Sequence, residues 1–177
     1  MSHDVCPLPF GAVSSNSPVN RSNFATSAGE RLRILQEART IAMVGLSSNP
    51  FRPSHFVAIY LLAEGYNVIP VNPREPEILG RRAYASLRDV PEPIDVVDIF
   101  RDPRAVPPIV EDAIAIGAKV VWMQLGVINE AAAHRAREAG LKVVMDACMK
   151  IEHARFFGGL NTIGLNTGLI SARASRR

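Results

Sequence analysis

Three stretches of this chain, EGYNVIP, IGAKVVW and AGLKVVM, repeat one pattern: a glycine, two further residues, then a β-branched run. Each follows a segment with apolar positions at helical spacing. Gly65, Gly117 and Gly140 therefore fall where a helix ends in a left-handed residue, a conformation glycine adopts without a Cβ clash. Over 104–116, Val106, Ile109, Val110, Ala113 and Ile114 share one helical face. Pro107 and Pro108 sit near its first turn, where a missing amide is tolerated. Over 129–139, Ala132, Ala133, Ala136 and Ala139 make a small-residue face suited to close packing on a sheet.

The runs IAMVG, NVIPV, DVVDIF, KVVWM and KVVMD are short and almost continuously apolar, as strands covered on both faces are. They predict five strands, at about 41–45, 67–71, 95–100, 119–123 and 142–146, with helices over 54–64, 104–116 and 129–139 and a leading helix near 27–38. A weaker turn or short helix, YASLRDV, stands between the second and third strands. Helix followed by strand three times over is the mark of βαβ units. The expected fold is α/β: a doubly wound, five-stranded parallel sheet of order 3-2-1-4-5 in three αβα layers. Its ligand crevice would open between the first and fourth strands, at their carboxyl ends.

Composition narrows the function classes. A chain of 177 residues, 47% apolar and 21% charged, builds one soluble domain with a sizeable core. Residues 1–26 are rich in Ser, Asn and Pro and are expected to be a mobile arm, with the ordered domain over 27–160 and a basic tail over 161–177. The net charge of +3 is mild, the arginines are scattered and aromatic residues are few, which argues against a nucleic-acid binder. No run approaches the roughly 20 apolar residues that span a bilayer, and the N-terminus lacks a basic secretory region. The two cysteines, Cys6 and Cys148, are not expected to pair, so a reducing cytoplasm is the expected setting.

The chemistry gathers at the strand ends. VGLSSNPFRPSH joins the first strand to a helix through one glycine. Gly45 permits a tight turn and close approach of a ligand; Pro53 suits the first helical turn. Amides near Ser54, His55 and Phe56, with the helix dipole, favour an anion, and Ser47, Ser48 and Arg52 add donors. The competing reading is a helix start capped by serine, with no ligand. After the second strand stands Val71-Asn72-Pro73-Arg74, where an NAD site would carry an acid. Arginine there favours a phosphorylated ribose, as in NADP or coenzyme A, unless Arg74 is an ordinary surface residue.

The ordered set V-G-x-S-x-x-P-x-R-P-S-H, G-Y-x-V-I-P-V-N-P-R, D-V-V-D-I-F-R, V-W-x-Q-x-G and D-x-C-M-x-x-E-H resembles the single-domain bacterial CoA-binding proteins. These are similar to the Rossmann-like CoA-binding domain of the succinyl-CoA synthetase alpha subunit. The resemblance spans about 30–158 and implies that the Gly45–His55 turn holds a diphosphate. It implies that Val71, Asn72, Pro73 and Arg74 meet the adenosine 3′-phosphate end, that Phe100 and Arg101 border the nucleotide, and that Gln124 and Gly126 lie near pantetheine. The chain lacks the synthetase's second domain, with its phosphorylated histidine, and the partner subunit. The expectation is a binding protein for coenzyme A or acyl-CoA, non-catalytic alone, acting as carrier, sensor or accessory. The alternatives are an NADP-dependent oxidoreductase, a CoA-linked transferase or ligase component needing a partner chain, or an interaction module with a vestigial pocket. Homo-oligomers stay open.

Cys148, between Asp146 and His153, lacks the further ligands a zinc site needs. It is either a buried structural cysteine or a thiol facing that of coenzyme A, able to form a mixed disulfide. Glu152 and His153 are adjacent and do not face each other on a helix. His55 is either a phosphate donor or a first-turn residue. No catalytic constellation is visible.

Overall fold

A computed structural model describes residues 26–158. Five strands form one parallel sheet: β1 (Thr40–Val44), β2 (Asn67–Val71), β5 (Val96–Ile99), β6 (Val120–Met123) and β7 (Lys142–Val144). Helices α1 (Ala28–Glu37), α2 (Pro53–Ala63), α3 (Val106–Ala115), α4 (Glu130–Glu138) and α5 (Met149–Phe157) cover both faces. The segment between β2 and β5 has no crossover helix. It forms a two-stranded hairpin, β3 (Glu77–Ile78) with β4 (Arg81–Arg82), and a 3-10 turn, Leu87–Asp89, closed by the reciprocal bonds of Ser86 and Asp89. Gly65, Gly117 and Gly140 take φ of 87°, 71° and 87°, as the repeated pattern requires.

The strand order departs from expectation. The sheet runs β2-β1-β5-β6-β7, which is 2-1-3-4-5 among the five main strands rather than 3-2-1-4-5. Both orders are doubly wound, but the third strand lies on the far side of the first. Pro70 gives the reason. Its carbonyl points outward and accepts the Tyr84 amide at 3.0 Å, so its missing N–H falls on the same outer side. Proline is tolerated there only because β2 is an edge. In β5, by contrast, Val96, Val97, Asp98 and Ile99 are fully buried, as befits the centre. The crevice therefore opens between β1 and β5, the first and third strands, not between the first and fourth.

Each face has its own core. Val97, Ile99, Val121 and Met123 pack under α3 and α4, whose Val110, Ala113, Ala133 and Ala136 are fully buried. Ile41, Met43, Val96 and Trp122 pack under α1, α2 and α5. Helix α5 is absent from the expected elements because its inward side is polar. Glu152 and Arg155 are buried there, and Glu152 joins Arg31 of α1 at 2.8 Å and Arg155 at 3.1 Å. Thr26, placed in the expected arm, is buried, and its hydroxyl donates to the Val143 carbonyl. The rest of that arm, with Cys6, and the expected tail over 161–177 lie outside the described residues.

Candidate functional site

β1 leaves the sheet at Gly45, whose φ is +90°. The Gly45 amide donates to the Val71 carbonyl at 2.9 Å, tying the exit of β1 to that of β2. A Cβ on Gly45 would stand 2.6 Å from the Phe100 carbonyl oxygen and 2.8 Å from Arg101 Cδ. The exits of β1 and β5 are thus in close contact where the strand order reverses, the point at which doubly wound sheets take ligands. Leu46 is buried and anchors the loop. Beyond it the loop closes on itself: Ser47 Oγ accepts the Asn49 amide at 3.2 Å, and Asn49 Oδ1 accepts that of Phe51 at 2.9 Å.

Arg52 occupies the cap position of α2, and no side chain caps this helix. Ser27 caps α1 and Asn129 caps α4 through their side chains, so the serine-capped alternative does not describe α2. One detail differs from expectation: the His55 amide donates to the Arg52 carbonyl at 3.0 Å and is not free.

The crevice, about 380 Å³, is lined from three strand exits. Gly45, Ser47, Arg52, Pro53 and Ser54 come from the first, Asn72 and Arg74 from the second, Phe100 and Arg101 from the third. Asn72 braces two of these exits: its amide nitrogen donates to the Leu46 carbonyl at 2.9 Å, and its Oδ1 accepts the Arg74 amide at 2.9 Å. The guanidinium groups of Arg52, Arg74 and Arg101 have no hydrogen-bond or ion-pair partner among the described residues. Arg31, Arg88, Arg104, Arg135 and Arg155 are each in an ion pair. Three arginines without a partner therefore line one concave site, a charge arrangement that suits an anion.

Sequence reasoning missed Glu75, which also lines the crevice. Its carboxylate accepts the Ser48 amide at 3.2 Å and Asn72 Nδ2 at 3.1 Å, so it shapes the loop while subtracting one charge. The signal was available: an acid directly after Arg74, within reach of Asn72 in the same turn.

Other expected site residues lie outside the crevice. Ser48 and Pro73 are exposed, and Val71 is buried in the sheet. The His55 ring is turned to the Ser47 carbonyl, 2.9 Å from Nδ1. Gly126 donates its amide to Asp146 Oδ1 at 2.8 Å. Gln124 is buried and donates from Nε2 to Asp98 Oδ1 at 2.8 Å, while Asp98 Oδ2 has no partner. Burial pushes the Asp98 carboxyl up to about 7, against the bonds from Gln124 and the Ile99 amide. Cys148 opens α5 and lines a separate cavity of about 130 Å³ beside Arg31, Asp146 and Arg155. Burial is the largest cause raising its thiol pKa. A larger cavity, about 480 Å³, lies at the amino ends of the strands. The cations along it are matched, Lys119 Nζ to Asp95 at 2.7 Å and Lys142 Nζ to Glu37 at 3.6 Å, so it offers no free charge to a ligand. No cluster able to hold a metal ion occurs among the described residues.

The chain is thus a doubly wound α/β domain with three unpaired arginines lining the crevice at its switch point. The chain belongs to the CoA binding domain family, whose match runs over residues 39–154. It is 42% identical over 128 residues to the uncharacterized protein YneT of Bacillus subtilis (strain 168), across 72% of this chain and 95% of that one. A hypothetical protein from Pyrococcus horikoshii OT3 is 45% identical with a TM-score of 0.72, over 73% of this chain and 92% of its own. The dinucleotide-forming acetyl-coenzyme A synthetase 1 of Ca. Korarchaeum cryptofilum is 26% identical with a TM-score of 0.58, over 65% of this chain but 28% of the synthetase. No helix among the described residues is long and apolar enough to cross a membrane.

Proposed function

We propose that this chain binds coenzyme A or an acyl-CoA in the crevice between β1, β2 and β5, and that alone it serves as a cytoplasmic carrier, sensor or accessory rather than as an enzyme. The carrying observation is the convergence of Arg52, Arg74 and Arg101, all unpaired, on the Gly45 turn at an uncapped helix start. A diphosphate over that turn would meet the α2 dipole and Arg52. Arg74, at the exit of β2, would take the phosphate on the adenosine ribose, and Arg101 would border the nucleotide. Membership of the CoA binding domain family supports coenzyme A over NADP as the phosphorylated ribose.

The non-catalytic reading rests on the lining itself. Glu75 is held by Ser48 and Asn72, and neither lining hydroxyl, Ser47 or Ser54, is hydrogen-bonded to a carboxylate or an imidazole among the described residues. Cys148 lies in another cavity, where burial raises its thiol pKa, so we assign it no exchange with the coenzyme A thiol.

Calorimetry of the full chain with coenzyme A, dephospho-CoA, NAD and NADP tests the reading. Coenzyme A should bind at least about tenfold tighter than dephospho-CoA, the worth of one charge-assisted bond. Arg74→Ala should erase that difference while leaving dephospho-CoA affinity unchanged. Binding of NADP alone, or of none of the four, would refute it.

A further inference from the structure

Doubly wound nucleotide sites carry one of two groups after the second strand: an acid for a free ribose hydroxyl, or an arginine for a ribose phosphate. This chain carries both, side by side, as Arg74 and Glu75. They line the same crevice. Yet Glu75 forms no ion pair with Arg74, Arg52 or Arg101, nor with any other cation among the described residues.

The carboxylate is engaged elsewhere. Asn72 stands directly after β2, and its Oδ1 accepts the Arg74 amide at 2.9 Å, a side-chain turn that folds the chain back. Glu75 Oε1 then lies 3.1 Å from Asn72 Nδ2, and the Ser48 amide of the β1–α2 loop donates to Oε2 at 3.2 Å. The acid is thereby returned to the gap between the exits of β1 and β2. Its donors are uncharged amides, which a neutral acceptor would satisfy as well. The negative charge itself serves no contact in the fold. A carboxylate has about four lone-pair sites, so Glu75 can also accept from a ligand hydroxyl.

Fixed groups of opposite sign, adjacent in one crevice, select a ligand that carries the complementary pattern. Phosphate suits Arg74 and is repelled by Glu75, whereas a hydroxyl suits Glu75. Two neighbouring ribose carbons, one phosphorylated and one bearing a free hydroxyl, present that pair of groups. On the coenzyme A reading, on which this inference rests, the 3′-phosphate faces Arg74 and the 2′-hydroxyl faces Glu75.

We propose that Glu75 is a specificity-determining residue: it admits a ribose with a free 2′-hydroxyl beside the 3′-phosphate and excludes one phosphorylated at the 2′ position. Glu75 weakens the binding of every anionic ligand somewhat, and of the wrong isomer most, which is specificity by exclusion.

Adenosine 3′,5′-bisphosphate and its 2′,5′ isomer carry equal charge, so the ratio of their affinities isolates the position of the phosphate. Calorimetry of the full chain should find the 3′,5′ isomer bound at least about tenfold tighter. Glu75→Gln keeps an acceptor oxygen and removes the charge. It should tighten the 3′,5′ isomer about two- to fivefold. The 2′,5′ isomer should tighten at least about thirtyfold, because a like-charge contact disappears, so the ratio shrinks about sixfold or more. Arg74→Ala should shrink the same ratio through loss of 3′,5′ affinity, and the sign of the change tells the two residues apart. Thermal melting of the free variants checks that each is folded. Equal factors for both isomers in Glu75→Gln, with coenzyme A still bound by the wild type, would overturn the role of Glu75 and leave the coenzyme A reading standing. A wild-type chain that prefers the 2′,5′ isomer, or that binds neither isomer nor coenzyme A, would overturn both.

Discussion

Asp98 sits in the most buried strand with one carboxylate oxygen unpartnered, which makes its ionisation costly to the fold. Its pKa rises from an ordinary 3.8 to about 7, chiefly through burial. At about 1.4 kcal/mol per unit, the gap of roughly three units corresponds to about 4 kcal/mol. The sign follows from linkage. Below about pH 4 both folded and unfolded chains hold the proton and nothing is lost. Between about pH 4 and 7 the unfolded chain ionises while the folded one stays protonated, and stability falls by up to about 1.4 kcal/mol per pH unit. Above about pH 7 both forms are ionised and the loss is complete.

Asp98→Asn removes the titration and keeps the acceptor for Gln124 Nε2. Its new NH₂ group replaces the unpartnered oxygen, and any cost of burying that donor is the same at every pH. Urea unfolding of both proteins at about pH 5, 6, 7 and 8 therefore isolates the effect in the difference between them. Relative to wild type, the variant should gain stability steadily up to about pH 7 and then level off. A difference that stays flat from about pH 5 to 8 would refute the account of Asp98 as a buried acid.

Three further perturbations have defined outcomes. Gly45→Ala combines a left-handed backbone cost of about 1–2 kcal/mol with a contact against the Phe100 carbonyl, so it should lower the unfolding midpoint and abolish stabilisation by coenzyme A in thermal melts. Glu75→Gln keeps an acceptor for the Ser48 amide but removes the one carboxylate among the crevice-lining residues; calorimetry should find coenzyme A bound about two- to fivefold tighter, the worth of a partly screened charge. Glu152→Gln leaves Arg31 and Arg155 without their shared carboxylate, and denaturant unfolding should show a loss of about 3–5 kcal/mol.

The repeated glycines and the alternation of helix with strand made the architecture legible, because local conformation alone dictates them. Strand order is a matter of edges. NVIPV reads as one more apolar run, but Pro70, which donates no amide to a ladder, marks it as an edge strand. DVVDIF likewise reads as an apolar run, with Asp98 inside it. An acid in a strand covered on both faces shows its consequences only once burial is measured. Helix α5 escaped notice because its buried side holds a charge network instead of an apolar stripe. At the site, Gly45, Arg52, Asn72, Arg74 and Arg101 follow from position relative to strand ends; Glu75 stands beside Arg74 in the same turn, but its bond to the Ser48 amide across the loop shows only in the fold.

The corrected order also changes how a ligand would use these residues. With β5 beside β1, Phe100 and Arg101 stand directly against the Gly45 turn, so all three arginines serve the crevice formed by β2, β1 and β5. Gln124, at the end of β6, lies two strands from β1, about 10 Å at ordinary strand spacing. Its amide is already committed to Asp98. On the coenzyme A reading, the phosphate-bearing end would therefore account for most of the directional polar contact, and the pantetheine arm would have to pass the exit of β5 to reach Gln124. That division of labour suits a protein that recognises the shared handle of many acyl-CoA molecules and leaves the acyl group to another agent.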